Sequence, residues 1–270
     1  MTRAPSPGGP CLRVVLLCDD EPFEIPRTVA SIVESLPGWR FTVASLGGHA
    51  SLRDIRRNSS RYLGLYGPLG FAARGSWMIL LKILAALRAP TASPHSLAQA
   101  ASRTGADFIT IDRVNSEAGR AVLEALEPDV IVSIACPQIL RPVTLAIPSI
   151  CALNLHSALL PVNRGMLPTF WSLFSEPPRA GVTLHLMTAE LDGGEILLQR
   201  EIPVSRRTTS LHSLIRRCKQ TGAEMVTEGL LMVAEGSWTT RPNPSCEGSR
   251  NGFPTKEDVA EFRRRGGRIW

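Results

Sequence analysis

The chain has 270 residues, of which 44% are hydrophobic and 20% charged, as in globular proteins and unlike disordered chains. Its 30 lysines and arginines exceed its 24 aspartates and glutamates, and the net charge of +6 suits an anionic ligand, RNA or an acidic lipid surface without selecting one. No run of 18 uninterrupted apolar residues occurs, so the sequence predicts no membrane-spanning segment.

The six cysteines are scattered, with no CxxC pair and no histidine at metal-ligand spacing. This pattern predicts free thiols in a reducing compartment, hence a cytoplasmic protein, and no metal site. The apolar run LRVVLLC near the N-terminus is followed directly by DDE, so we interpret it as a first strand and not as a signal peptide.

Strands alternate with helices from this first strand to residue 134. The helix predicted over 93–105 has Ser93 as N-cap, Pro94 at its first position and Gly105 after its end. The strand predicted over 129–134 is apolar on both faces, which is typical of a parallel sheet covered on both sides. The other predicted elements of this half are strands 13–18, 41–46 and 107–111 and helices 25–38 and 115–128.

Residues 47–92 interrupt the alternation. They combine the basic stretch RDIRRNSSR with SWMILLKILAAL (76–87), in which Lys82 is the one charged residue. Three interpretations remain open: a helix buried in an enlarged core, a homodimer face, or a membrane-surface patch, the last two involving residues 62–88.

The C-terminal half adds further strands and ends in helices. Thr255 and Asp258 form a predicted capping box at the start of the last helix. We predict an α/β fold with a Rossmann-like, mostly parallel sheet, helices on both faces, an apolar helical insertion and a short C-terminal helical tail. A catalytic domain is expected over 11–205, and a C-terminal helix and basic tail over 206–270. The other predicted elements are strands 151–156, 181–187 and 196–204 and helices 168–176 and 209–236.

Asn154 and His156 end the strand CALNLH two residues apart, so their side chains share one face at the edge where open α/β sheets bind ligands. Histidine exchanges protons near neutral pH, and an asparagine amide can donate to an oxygen that gains negative charge. Asp192, before Gly193 and Gly194, is the candidate carboxylate partner. Each residue taken alone also fits a structural role, as a satisfied strand-end side chain or a turn aspartate.

Four ordered segments, PDVIVSIACPQIL, ALNLHSALLPVNRG, GVTLHLM and ELDGGEILLQREIPV, resemble the folate-dependent formyltransferase family over about residues 105–235. This family includes glycinamide ribonucleotide, methionyl-tRNA and nucleotide-sugar amine formyltransferases. The resemblance implies that Asn154, His156 and Asp192 are catalytic and that 10-formyltetrahydrofolate is the formyl donor.

The resemblance also implies residues that contact the ligands. Arg164 and Gly165 match the loop that lies against the acceptor substrate. The folate pterin is expected between two loops, formed by Cys136, Pro137, Gln138, Ile139 and Leu140 and by Thr188, Ala189, Glu190 and Leu191.

The expected acceptor is a primary amine of a small molecule, because the DDEPFEIP start and the GFPTKEDVAEFRRRG tail resemble members that act on amino sugars or nucleotide-linked amino sugars. The acidic start would repel the phosphate that glycinamide ribonucleotide enzymes bind after the first strand. No DNA partner is expected, and tRNA is not expected because too few residues follow the long helix for a barrel domain. The alternatives are 10-formyltetrahydrofolate hydrolysis, methionyl-tRNA formylation by a shortened enzyme, and a non-enzymatic membrane- or partner-binding module.

Overall fold

A computed structural model describes residues 11–46, 52–87, 89, 91–244 and 248–270. Residues 47–51 of the predicted insertion lie outside the described residues. The strands are β1 Arg13–Cys18, β2 Arg40–Ser45, β3 Asp107–Thr110, β4 Val130–Ile134, β5 Cys151–His156, β6 Arg164–Gly165, β7 Ala180–Leu186, β8 Ile196–Ile202 and β9 Arg250–Asn251. The helices are α1 Ile25–Ser35, α2 Leu52–Ala86, α3 Leu97–Thr104, α4 Glu117–Ala125, α5 Pro142–Leu145, α6 Pro168–Phe174, α7 Leu211–Ala234 and α8 Lys256–Arg264.

Seven strands form one sheet in the order β3-β2-β1-β4-β5-β7-β8. The first five of these pair in parallel, whereas β7 runs antiparallel to both β5 and β8. Strand order reverses between β1 and β4, and open α/β sheets bind ligands at the carboxyl ends of the strands beside such a reversal. The predicted α/β fold with a mostly parallel sheet is confirmed.

The sheet separates two hydrophobic clusters, one on each face. Val14, Leu16 and Cys18 of β1 contribute to the larger cluster, while Val15 and Leu17 contribute to the smaller one. Successive strand residues point to opposite faces, so a strand that is covered on both sides needs apolar residues at every position. α7 and α8 pack into the larger cluster together with β1.

Two predicted helix starts are wrong by a few residues. α3 begins after Ser96, whose hydroxyl accepts the Gln99 amide, and not after Ser93. The carboxylate of Asp20, from the distant β1–α1 loop, accepts the Leu97 amide and defines this start by a tertiary contact. The start of α7 is likewise later than predicted, with Ser210 as its cap. The capping box of Thr255 and Asp258 at α8 is confirmed.

The inserted helix α2 is broken at Gly67, whose φ of 74° lies in the left-handed region, and Pro68 follows the break. The segment before the break is anchored to the domain: Leu65 is fully buried, and Tyr66 packs against Trp270 and His212. Trp270 thus contributes to the contact between α2 and the rest of the protein.

The segment after the break projects its apolar residues outward. Of the described residues, one helical segment, Asn58–Ala86, is long and apolar enough by length and composition to cross a membrane, and only 6% of its most apolar window is buried. The interpretation of α2 as a helix buried in an enlarged core is therefore wrong. The sequence has no uninterrupted apolar run of 18 residues, yet the mean hydropathy of this segment reaches that of a membrane span, because the small and polar residues within it lower the mean only slightly.

His212 makes the fold sensitive to acid. Burial, reinforced by the nearby Arg74 guanidinium, lowers the pKa of His212 from 6.5 to about 4. Between these pH values the unfolded chain binds a proton that the folded chain does not, so the free energy of unfolding falls as the pH drops through this range. We expect the urea midpoint of His212→Phe, which keeps the stack on Trp270, to change less between pH 7 and pH 5 than that of the wild type. An equally steep change in both proteins would contradict this expectation.

Candidate active site

Asn154 and His156 project from one face of β5, at the carboxyl end of the strand. β5 pairs in parallel with β4 and antiparallel with β7, and this register places Asn154 opposite His185 and His156 opposite Thr183. The change of strand direction at β7 brings the loop that follows this strand back across β5. Residues distant in sequence can therefore reach the two side chains.

Asp192 lies in that loop, where its φ of 52° is in the left-handed region. Its Oδ1 is 3.5 Å from His156 Nδ1 and 3.4 Å from Asn154 Nδ2. Its Oδ2 accepts a hydrogen bond of 2.8 Å from the Gly165 backbone amide. His156 and Asp192 are buried and Asn154 is half-buried. The structure therefore brings together the three side chains that the sequence singled out.

The two ring nitrogens of His156 have different partners. Nε2 lies 2.9 Å from the carbonyl oxygen of Asn163, which can only accept, so Nε2 holds a hydrogen and donates it. Asn163 is itself held, since Asn251 Nδ2 donates to its side-chain oxygen at 2.9 Å. Nδ1 is then the ring nitrogen that faces Asp192.

His185 is a fourth member of the cluster that sequence reasoning missed. Burial, followed by the charge of His156, lowers the pKa of His185 to about 4, so this ring is neutral at neutral pH. Its Nδ1–H donates to the Leu186 carbonyl at 2.7 Å, which leaves Nε2 as an acceptor for Asn154 Nδ2 at 3.1 Å. His185 therefore orients the Asn154 amide.

A signal for His185 was present in the segment GVTLHLM. Thr183 and His185 alternate with Val182 and Leu184, which places two polar groups on one face of a buried strand. Buried polar groups need partners. The antiparallel register with β5 was needed to identify those partners.

The loop after β4, predicted to contact folate, divides into anchored and exposed residues. Leu140 is buried in the smaller hydrophobic cluster, and the Gln138 side chain bonds to backbone groups of residues 112–114. Ile139 is exposed. Burial raises the pKa of the Cys136 thiol to about 11, so this sulfur stays protonated at neutral pH. Pro137 and Ile139 are thus the exposed side chains among these five residues.

The second predicted folate loop lies between β7 and Asp192. Thr188, Ala189 and Glu190 are exposed, and Leu191 is half-buried. The Glu190 carboxylate accepts a hydrogen bond of 2.8 Å from Arg164 Nη1. The loop is therefore accessible at its tip and fixed beside Asp192 by this ion pair.

Arg164 and Gly165, predicted to contact the acceptor, support the Asp192 loop in this structure. Arg164 is buried, and besides Glu190 its guanidinium donates to the Asn243 carbonyl at 3.0 Å. Asn243 Nδ2 in turn donates to the backbone oxygen of Asp192 at 2.9 Å. Contact of Arg164 with an acceptor stays a prediction. Sequence reasoning missed Asn243, which lies far along the chain in an irregular segment.

Within the part of the chain that the structure describes, no group of three or more His, Cys, Asp or Glu side chains has the arrangement of a metal site. The candidate active site thus consists of hydrogen-bond donors and acceptors and of groups that exchange protons. Such a set is suited to stabilising an oxyanion and moving protons during acyl transfer.

The family model described as "Formyl transferase" matches residues 86–230, more than half of the chain and the whole of the cluster. The chain belongs to the formyl transferase family, as the sequence motifs predicted. It is 36% identical over 138 residues to a methionyl-tRNA formyltransferase of Synechococcus sp. (strain JA-3-3Ab). That match covers 51% of this chain and 42% of the relative, so the chain spans less than half the length of this relative.

Two solved structures have a similar fold. Glycinamide ribonucleotide transformylase 1 from Symbiobacterium toebii superposes with a TM-score of 0.60 at 19% identity, covering 87% of this chain and 95% of that protein. A sugar N-formyltransferase from Shewanella sp. FDAARGOS_354 superposes with a TM-score of 0.53 at 20% identity, covering 89% of this chain and 76% of that protein. At these identities the likeness concerns the fold alone.

Proposed function

We propose that this protein is an N-formyltransferase that moves the formyl group of 10-formyltetrahydrofolate to a primary amine. The observation that supports this proposal is the cluster of Asn154, His156 and Asp192 at the carboxyl end of β5, in a chain of the formyl transferase family. The cluster combines an amide donor, a proton-exchanging imidazole and a carboxylate within hydrogen-bonding or ion-pairing reach.

The residues serve distinct steps in this reaction. The unprotonated amine attacks the formyl carbon, a new C–N bond forms, and the carbonyl oxygen gains negative charge. Asn154 Nδ2 is placed to donate to this oxyanion, and the positive charge of protonated His156, whose Nδ1 lies 3.5 Å from Asp192 Oδ1, stabilises it. The 3.4 Å contact between Asn154 and Asp192 is long, so the oxyanion can replace Asp192 as acceptor for that hydrogen.

Collapse of the tetrahedral species breaks the bond between the formyl carbon and N10 of the folate. The amine loses a proton and N10 gains one, so the reaction neither releases nor consumes a proton. Asp192 is the carboxylate placed to receive the amine proton and to hold His156 in its charged form. Its anchoring by the Gly165 amide keeps one oxygen in place while the other participates.

An amino sugar, free or linked to a nucleotide, is the acceptor class we propose. The N-terminus of α1, where a phosphate could bind, is already capped by the carboxylate of Glu21. Glu21 Oε1 accepts from the amides of Glu24 and Ile25 at 2.7 Å each, and Oε2 accepts from Phe23 at 3.1 Å. This capping argues against an acceptor bound through a phosphate at α1, and the Shewanella protein of similar fold is a sugar N-formyltransferase.

Methionyl-tRNA formylation is the second candidate, favoured by the 36% identity to a methionyl-tRNA formyltransferase. It requires binding of a large polyanion, and such binding weakens steeply as salt is added. The absence of tRNA binding at low salt would remove this candidate.

The deciding experiment incubates the full chain with 10-formyltetrahydrofolate and one acceptor at a time. Mass spectrometry then detects the gain of one formyl group on amino-sugar nucleotides, free amino sugars or charged methionyl-tRNA. A donor-only incubation measures hydrolysis. Formylation of an amino sugar supports the proposal, whereas rapid donor consumption without an acceptor identifies a hydrolase and overturns it.

Gly194 offers a test of the Asp192 loop. A Cβ at this position would lie 1.9 Å from the Leu186 carbonyl oxygen, so Gly194→Ala must move the backbone two residues after Asp192. Because a misplacement of about 1 Å can cost about 10²-fold in rate, we expect Gly194→Ala to lower turnover by this order. Gly75→Ala is the matched control, since a Cβ there meets nothing within 4 Å. Equal turnover in both variants would contradict the expectation.

A further inference from the structure

The helical segment Pro68–Ala86 of α2 has one side that contacts the domain and one that does not. On the inner side Leu81 is buried, and the Ala85 carbonyl accepts a hydrogen bond from Gln99 at 3.2 Å. The Arg74 guanidinium lies 3.6 Å from the centre of the Phe23 ring. The domain therefore holds this segment along its length.

The outer side is a continuous apolar stripe. Side chains at 3.6-residue spacing share a helix face, and the exposed Lys82 borders this face, three residues after Ile79 and four before Ala86. Leu69 is 88% exposed and Leu87, just after the helix, 73% exposed. The outer stripe comprises Leu69, Ala72, Ala73, Ser76, Ile79, Leu80, Ile83, Ala86 and Leu87. Large apolar patches of this kind on soluble proteins mark interaction sites.

Lys82 lies at the edge of the stripe, and further basic residues lie on α8 and on the part of α2 before the Gly67 break. α8 packs on α2 just before the Gly67 break, where Arg263 donates to the Leu65 carbonyl at 3.1 Å. Arg264 of the same helix is exposed and ion-paired with Glu261, and Arg56 of α2 is exposed. Cations flanking an uncharged apolar stripe complement a surface with anionic groups above an apolar interior.

We propose that the outer stripe of α2 lies in the interface of an anionic lipid bilayer, with the neighbouring basic residues at the headgroups. The contacts of Leu81 and Ala85 and the break at Gly67 hold the helix against the domain, so it lies in the interface and does not cross the bilayer. A second copy of this chain is disfavoured as the occupant, because a symmetric contact would enclose Lys82 of both copies and residues 68–86 contain no Asp or Glu to pair with it.

The test is flotation of the full chain with vesicles of phosphatidylcholine alone or of phosphatidylcholine with phosphatidylserine. We expect the wild type to float with the anionic vesicles, and added salt to weaken this binding. The double variant Ile79→Asn with Ile83→Asn should lower the partition coefficient by at least about tenfold, because two large apolar side chains are removed from the interface.

Two further variants separate binding from folding. Leu69→Gln with Leu87→Gln changes the two most exposed ends of the stripe and should also weaken binding. Val143→Gln with Ile150→Gln, on exposed apolar residues elsewhere, is the matched control and should bind like the wild type. Circular dichroism melts verify that all three variants fold.

Three outcomes overturn the proposal. The wild type does not float with anionic vesicles, or it floats equally well with neutral vesicles, or the stripe variants convert a dimer to a monomer without changing flotation. Turnover of soluble substrates should be unchanged in every stripe variant, since none of these side chains belongs to the candidate active site. Failure of vesicle binding therefore leaves the proposed formyl transfer untouched, and failure of formyl transfer leaves the flotation result untouched.

Discussion

Replacing His156 by asparagine is expected to lower the rate of formyl transfer by about 10²–10⁴-fold, the range that general acid–base groups contribute. The asparagine side chain can still donate a hydrogen bond, but it has no proton to exchange and no charge with which to stabilise an oxyanion. Single-turnover kinetics with 10-formyltetrahydrofolate and an amine acceptor that the wild type formylates measure this effect on chemistry apart from product release.

Two observations distinguish lost chemistry from a lost fold. The melting curve of His156→Asn should remain cooperative, and the variant should still bind the folate donor. His212→Phe is the matched control, because it removes another largely buried histidine that lies outside the cluster, and its turnover should equal that of the wild type. A normal single-turnover rate in His156→Asn would refute the assignment.

Replacing Asp192 by asparagine should lower both turnover and stability. The Asp192 carboxylate accepts from the Gly165 amide and from Asn154 Nδ2, and it faces His156 Nδ1. An asparagine amide would place its own N–H hydrogens opposite at least one of these donors. That buried donor would then have no acceptor, which costs about 1–3 kcal/mol. We expect a loss of turnover of about 10²-fold or more, since the charge that holds protonated His156 disappears.

Urea unfolding and single-turnover kinetics measure the two effects of Asp192→Asn. Asp258→Asn is the control for loss of one carboxylate: it removes a negative charge from the first turn of α8, which costs about 0.3–1 kcal/mol, and leaves turnover unchanged. Should Asp192→Asn retain full turnover while losing stability, Asp192 would be a structural residue and the proposed proton transfer would fail.

The prediction of the fold rested on local patterns, and these patterns were reliable. Apolar residues on both faces of 129–134 predicted a strand of a parallel sheet, and the apolar run near the N-terminus predicted the first strand, 13–18; β4 and β1 occupy these positions. Helix starts were less reliable where a tertiary contact decides them. At α3 the carboxylate of Asp20 accepts the Leu97 amide, and no local pattern contains that information.

The prediction of the site rested on motif order, and the geometry added residues with no motif of their own. Asn154, His156 and Asp192 were identified from the sequence, whereas His185 and Asn243 became visible only through their contacts. Arg164 was expected at the acceptor, but in the structure it is buried and bonded to Glu190 and Asn243. The sequence of a loop does not indicate the direction in which an arginine side chain points.

The sequence by itself determined the alternation of strands and helices, the α/β class, the family and the three candidate catalytic side chains. These properties follow from residue periodicity and short motifs, which act over a few residues. Only the tertiary structure decided that β7 brings His185 against Asn154, that Glu21 caps the N-terminus of α1, and that the apolar half of α2 faces outward. Each of these depends on segments far apart in the chain, and hydrophobicity alone cannot say whether an apolar face will find a partner within the same domain.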